Sequence, residues 1–92
     1  MRLTAAPSKR FKRQYGRLQF SGNPKLVNKL DAVIELLVCG EILPVSARSH
    51  KLSGNLNKYF ECHIEPDWLL IYKVTGSEII FIRTGSHADL FE

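Results

Sequence analysis

Residues 58–84 read KYFECHIEPDWLLIYKVTGSEIIFIRT, and this stretch decides the fold. Apolar, aromatic and β-branched side chains dominate it, and two turn signals cut it into three parts. Lys58 to His63, Trp68 to Val74 and Glu78 to Thr84 therefore read as strands. Glu65-Pro66 forms a tight link between the first two. Thr75-Gly76-Ser77 forms a hairpin turn between the last two. The middle strand is apolar on both faces, so Trp68 reads as core before it reads as a ligand contact.

Upstream the apolar period is helical. Asn23-Pro24 opens a helix, with Asn23 as cap and Pro24 at the first helical position. Leu26, Val27, Leu30, Val33, Ile34, Leu37 and Val38 then recur at helical spacing and form a wide apolar face. Gly40 suits a left-handed stop. A shorter helix precedes it. Ser8 can cap that helix, Phe11, Tyr15 and Leu18 make its apolar stripe, and Ser21-Gly22 breaks it. Residues 2–6, followed by Pro7, suit an edge strand. Residues 41–56 read as a long loop, rich in serine, that holds His50. The expected order is β-α-α-β-β-β. It makes an α+β fold with two helices on one face of a largely antiparallel, twisted sheet.

Ninety-two residues fit one domain, 1–92. A hydrophobic share of 45% is enough for a packed core without a long disordered region. So small a chain has a modest stability margin, which a bound partner would raise. The longest apolar run, Trp68 to Tyr72, is too short to span a bilayer, and the basic first twenty residues lack the apolar run of a secretory peptide. Cys39 and Cys62 form no CxxC pair, which suits buried thiols in a reducing cytoplasm.

Charge is polarised along the chain. Residues 1–30 hold eight Lys or Arg and no acid, whereas residues 31–92 hold five basic residues and nine acids. The basic part fits a polyanionic partner, either RNA or an acidic protein segment. It equally fits a solvated helix face that keeps the chain soluble.

Three histidines, His50, His63 and His87, are the natural candidates for proton transfer near neutral pH. Cutting RNA needs such groups. The 2′-hydroxyl loses a proton as it attacks phosphorus, and the leaving 5′-oxygen gains one. A cation such as Arg83 can steady the charged phosphorane, and Phe91 or Trp68 can stack on a base. A hairpin around Glu65-Pro66 would bring His63 and Asp67 close together. Each residue also has a plain reading: His50 solvated in a loop, Asp67 a turn residue, Arg83 in a surface ion pair, Phe91 a plug over the core edge. No pair of histidines has a recognised zinc-ligand spacing.

Three blocks tip this balance. They are Ser49-His50-Lys51-Leu52-Ser53-Gly54, then Cys62-His63-Ile64-Glu65-Pro66-Asp67-Trp68-Leu69-Leu70-Ile71-Tyr72, then Arg83-Thr84-Gly85-Ser86-His87-Ala88-Asp89-Leu90-Phe91. In this order and spacing they resemble the YafQ-type toxins of the RelE superfamily. The resemblance implies a RelE-like fold and a metal-independent, cofactor-free endoribonuclease. It implies ribosome-dependent cleavage of mRNA in the decoding site, leaving a 2′,3′-cyclic phosphate and a 5′-hydroxyl. It also implies a cognate antitoxin, usually with a ribbon-helix-helix part, and no membrane association. His50, His63, Asp67, His87 and Phe91 become the active-site set. In it His87 is general acid or transition-state stabiliser, His50 or Asp67 the base, and His63 a phosphate-positioning group. Arg83 matches the family's arginine position. The basic helix offers Lys9, Arg10, Lys12, Arg13 and Arg17 as contacts to ribosomal RNA or antitoxin, with Lys51 and Trp68 as further RNA contacts. Competing readings are a non-catalytic antitoxin-binding co-repressor, a ribonuclease that needs no ribosome, and, last, a metal hydrolase.

Overall fold

The computed structural model describes residues 2–41, 50–51 and 59–91, with His50, Lys51 and Phe91 described through their backbones. Its elements run β1 (Thr4–Pro7), α1 (Lys9–Gln19), α2 (Pro24–Val38), β2 (His50–Lys51), β3 (Phe60–Glu65), β4 (Trp68–Thr75), β5 (Glu78–Gly85) and α3 (His87–Phe91). The expected order is present, with two short elements added. One corrects the loop reading: His50 sits in a two-residue strand, paired antiparallel with β3 so that His50 faces Glu61. The other is α3, where only a tail was expected. The rest of the 41–56 loop beyond Glu41 lies outside the described residues, as does Lys58 of the expected first strand.

Among the described residues the sheet has five strands, in the order β1-β5-β4-β3-β2. Of these, β1 pairs parallel with β5 and the other pairings are antiparallel. Pro7, which has no N–H to give to a ladder, lies on the edge strand β1, where that loss costs least.

Both long helices begin as their caps dictate. The Ser8 hydroxyl accepts from Phe11 N at 3.0 Å and donates to the Ile82 carbonyl at 2.6 Å, so one side chain caps α1 and ties it to β5. Asn23 accepts from Leu26 N at 3.3 Å with Pro24 in the first turn of α2. Gly40 follows α2 with φ of 73°, a backbone that glycine adopts without a Cβ penalty.

The core lies between these helices and one sheet face. Phe11 and Leu18 of α1 and Leu26, Leu30, Leu37 and Val38 of α2 pack on Cys62, Leu70, Tyr72, Ile79 and Phe81. Each fully buried aliphatic side chain here contributes about 1.5–3 kcal/mol. Cys62 is wholly buried, and burial, then the neighbouring Glu61 charge, pushes its thiol up to about 12. Cys39 is only half-buried, so just one of the two thiols is enclosed as expected. Its pKa is also raised, chiefly by a hydrogen bond with Glu35. Among the described residues no helix is long and apolar enough to cross a membrane.

Candidate active site

The second face of the sheet is built differently. Leu69 and Ile71 of β4 point to it and meet Leu90 of α3, with Tyr59 and Ile82 beside them. Residues paired across a ladder share a face. His63 is paired with Leu69, while Glu61 and Arg83 flank Ile71 from β3 and β5. His50 occupies the register position opposite Glu61. The His63 imidazole, the Glu61 carboxylate and the Arg83 guanidinium thus fall on neighbouring strands, on the face that α1 and α2 leave uncovered.

Arg83 reaches this face because of a β-bulge. Tyr72 pairs with Phe81 but Ile71 pairs with Arg83, so Ile82 is an extra residue. One extra residue reverses the alternation of every side chain that follows. Phe81 faces the helices, and after the bulge Arg83 faces α3 and Thr84 faces the helices. Arg83 Nη1 donates to the Leu90 carbonyl at 3.5 Å. Its Nε is buried and has no partner among the described residues. Thr84, almost fully buried, accepts from Trp68 Nε1 at 2.9 Å and donates to the Leu69 carbonyl at 2.7 Å. Its N–H donates to Gln14 Oε1 of α1 at 2.9 Å.

A further polar contact joins Asp67 and His87, twenty residues apart in sequence. Pro66 and Asp67 are the two turn residues between the paired Glu65 and Trp68. His87 opens α3. Its Nδ1 lies 3.2 Å from Asp67 Oδ1, and its backbone N–H donates to the same oxygen at 3.4 Å. Both side chains stay accessible, at 51% and 80% exposure, so a substrate can reach them. The His63 ring lies 6.0 Å from the His87 ring, centroid to centroid. A carboxylate on Nδ1 fixes the imidazole's orientation and leaves Nε2 to face a substrate. The hairpin expected to join Asp67 to His63 does form, and the partner Asp67 engages is His87.

Gly85 sets how closely α3 approaches. A Cβ there would lie 3.0 Å from Asp89 Cβ, tighter than an ordinary contact, so another residue requires the helix that carries His87 to give by a few tenths of an ångström. The Ser86 hydroxyl accepts from Asp89 N at 3.2 Å and caps the same short helix, and the Asp89 carboxylate accepts from Ser86 N at 3.2 Å in return.

Around the end of the sheet lies a cleft of about 710 Å³. Arg10, Arg13 and Arg17 line it from α1, and Trp68, Thr84 and Asp89 from the far side. Lys9 and Lys12 are exposed but do not line the cleft. The basic helix therefore has two charged sides, not one. Trp68, half-buried, packs against the core and also lines the cleft. The side chains of His50, Lys51 and Phe91 lie outside the described residues. Phe91 ends α3, one residue beyond the buried Leu90.

Glu61 and the Gln14–Thr84–Trp68 chain were not anticipated. Glu61, 7% exposed, stands two residues before His63, and the two-residue period of a strand was the available signal for it. Nothing in sequence spacing marks Gln14, which meets Thr84 seventy positions away. Among the described residues no group of three His, Cys, Asp or Glu is placed to hold a metal ion.

Comparison with known proteins places this geometry. Residues 3–92 match the family model described as the bacterial toxin of type II toxin-antitoxin system, YafQ. The chain belongs to the YafQ toxin family. The mRNA interferase toxin YafQ of Escherichia coli strain K12 is 44% identical over 68 residues, which cover 73% of this chain and 74% of that one. A chain in the crystal structure of the E. coli DinJ-YafQ toxin-antitoxin complex superposes with a TM-score of 0.87 at 34% identity, covering 100% of both chains. A copper-bound mutant toxin from Helicobacter pylori superposes with a TM-score of 0.86 at 34% identity, covering 97% of this chain and 99% of that one. The YafQ resemblance read from the three sequence blocks, and the α+β fold it implied, are both borne out.

Proposed function

We propose that this YafQ-family toxin is an mRNA interferase that cuts messenger RNA on the ribosome in the cytoplasm, without a metal ion. The observation that carries this reading is the Asp67–His87 pair, with His63 beside it on an open sheet face. In the proposed reaction a base takes the 2′-hydroxyl proton and the 2′-oxygen attacks phosphorus. The bond to the 5′-oxygen breaks, and His87 Nε2 gives that oxygen its proton. The products are a 2′,3′-cyclic phosphate and a 5′-hydroxyl.

Asp67 already binds His87 through one oxygen, which favours a positioning role over that of base. His50 takes the base role. His63 and Arg83 stabilise the phosphorane, and Phe91 stacks on a base or positions the strand. With so few groups on a small sheet, ribosomal RNA supplies part of the substrate's orientation. A cognate antitoxin, of the ribbon-helix-helix kind, masks this face. The E. coli relative's complex with DinJ supports such a partner.

Primer extension on a defined mRNA tests the reading, with and without translating ribosomes and in excess chelator. Cuts at fixed codon positions only with ribosomes, unaffected by chelator, are expected. Cuts on naked RNA would remove the ribosome requirement. No cuts at all would leave a binding module that represses through its antitoxin.

A further inference from the structure

We propose that the cleft beside α1 receives the phosphodiester backbone of the messenger strand flanking the cleavage point, with Arg10, Arg13 and Arg17 as its phosphate contacts. This rests on the RNA-cleavage reading above and adds where the substrate runs.

Position is the first argument. Trp68 directly follows Asp67, and Asp89 stands two residues after His87; both line the cleft. A strand leaving the Asp67–His87 pair needs only to turn round the end of the sheet to enter it.

Geometry is the second. Arg10, Arg13 and Arg17 fall at i, i+3 and i+7 on one helix face and span about 10 Å along the axis. That length lets the arginine wall meet more than one phosphate of an extended strand. The half-buried Trp68 on the far wall, beside the largely buried Leu18 and Leu26, supplies apolar surface for sugars or bases. A basic groove with an aromatic contact is the usual cradle for a single strand. The Asp89 carboxylate, held by Ser86 N, repels phosphate from the far wall and keeps the backbone on the arginine side.

The two walls are also fixed to each other. Gln14, on the arginine wall, holds Thr84, and Thr84 holds Trp68 and the Leu69 carbonyl. A strand seated in the cleft is therefore held in register with the Asp67–His87 pair.

Other occupants fit less well. An RNA duplex presents a convex ridge of phosphates, which suits the exposed Lys9 and Lys12 side of α1 better than a concavity. A peptide would find no free strand edge, because β4 and β5 are both interior strands.

The test uses the full chain on ribosomes programmed with an mRNA whose cut site has first been mapped. A second mRNA lacks the attacking 2′-hydroxyl and carries 4-thiouridine on either side of that site. Irradiation should crosslink it to the α1 wall or Trp68. Arg13→Gln with Arg17→Gln should cut that crosslink about tenfold. It should also raise the protein concentration for half-maximal single-turnover cleavage about tenfold, with the effect on that concentration and not on the saturated rate. Arg2→Gln with Lys25→Gln removes the same charge elsewhere and should change either reading less than about threefold. Crosslinks from this cleft to ribosomal RNA alone, or equal losses from the two double variants, would overturn the proposal and leave the cleavage reading standing. If the wild type cuts no mRNA in the mapping step, the cleavage reading fails and this proposal with it.

Discussion

The two faces of the sheet are made from opposite materials. The face under α1 and α2 is mostly apolar, with Leu70, Cys62 and Ile79 essentially inaccessible and Thr84 as a buried, fully bonded polar exception. The other face carries His63, Glu61 and Arg83 and is only partly covered, by α3, a helix of five residues. Stability is concentrated on the first face and polar chemistry on the second. A domain this small has little free energy in reserve, so keeping the two apart lets reactive, partly solvated groups persist without weakening the core. Substitutions should therefore sort by face.

The largest expected effect separates the two outright. His87→Ala should lower single-turnover cleavage by about 10²–10⁴-fold, the usual worth of a general acid, with the melting temperature within a few degrees of wild type. Leu30→Ala should do the reverse. It should cost about 2–5 kcal/mol of stability through lost burial and a cavity, while cleavage per folded molecule stays near wild type. Thermal unfolding beside cleavage kinetics reads both, and a His87→Ala protein that is fully active would break the assignment.

A smaller effect tests the junction between the faces. Gly85→Ala places a Cβ 3.0 Å from Asp89 Cβ and displaces α3. Overpacking of this kind costs about 1–3 kcal/mol. Because α3 begins at His87, cleavage should fall by roughly tenfold as the pair with Asp67 loosens. An active variant with an unshifted α3 would show that the close approach has no bearing on the site.

The distribution of these features explains what could be read from sequence. α1, α2 and the long strands were legible because each repeats its period over many residues and ends in a recognisable cap or turn. β2 and α3 were not, since two and five residues are too few to display a period. The bulge at Ile82 was hidden for another reason. Its strand is apolar along most of its length, so a reversed alternation leaves little trace in the pattern. The three motif blocks contain His63, Asp67 and His87, which the fold brings together, but the Asp67–His87 contact depends on the folded β4–β5 pairing that brings both chain positions to one end of the sheet.

The smallest expected effect lies on the helix side. The Tyr15 hydroxyl donates to Asp31 and ties α1 to α2, and this hydrogen bond, followed by burial, raises the phenol to about 12. In the unfolded chain a tyrosine ionises near pH ~10. The folded state thus holds the proton longer, so the contribution is full below about pH 10 and is lost as pH rises towards about 12. Tyr15→Phe should remove that part of the alkaline decline in stability, without altering cleavage at neutral pH. Identical alkaline unfolding profiles for the two proteins would contradict the assigned role.

The central claim is that Asp67 acts through His87. A double-mutant cycle of Asp67→Asn and His87→Ala, read by single-turnover cleavage on programmed ribosomes, tests it most directly. The account predicts that each single variant is impaired and that the double variant is no slower than His87→Ala alone. Losses that multiply in the double variant would mean that the two residues act independently, and would contradict it.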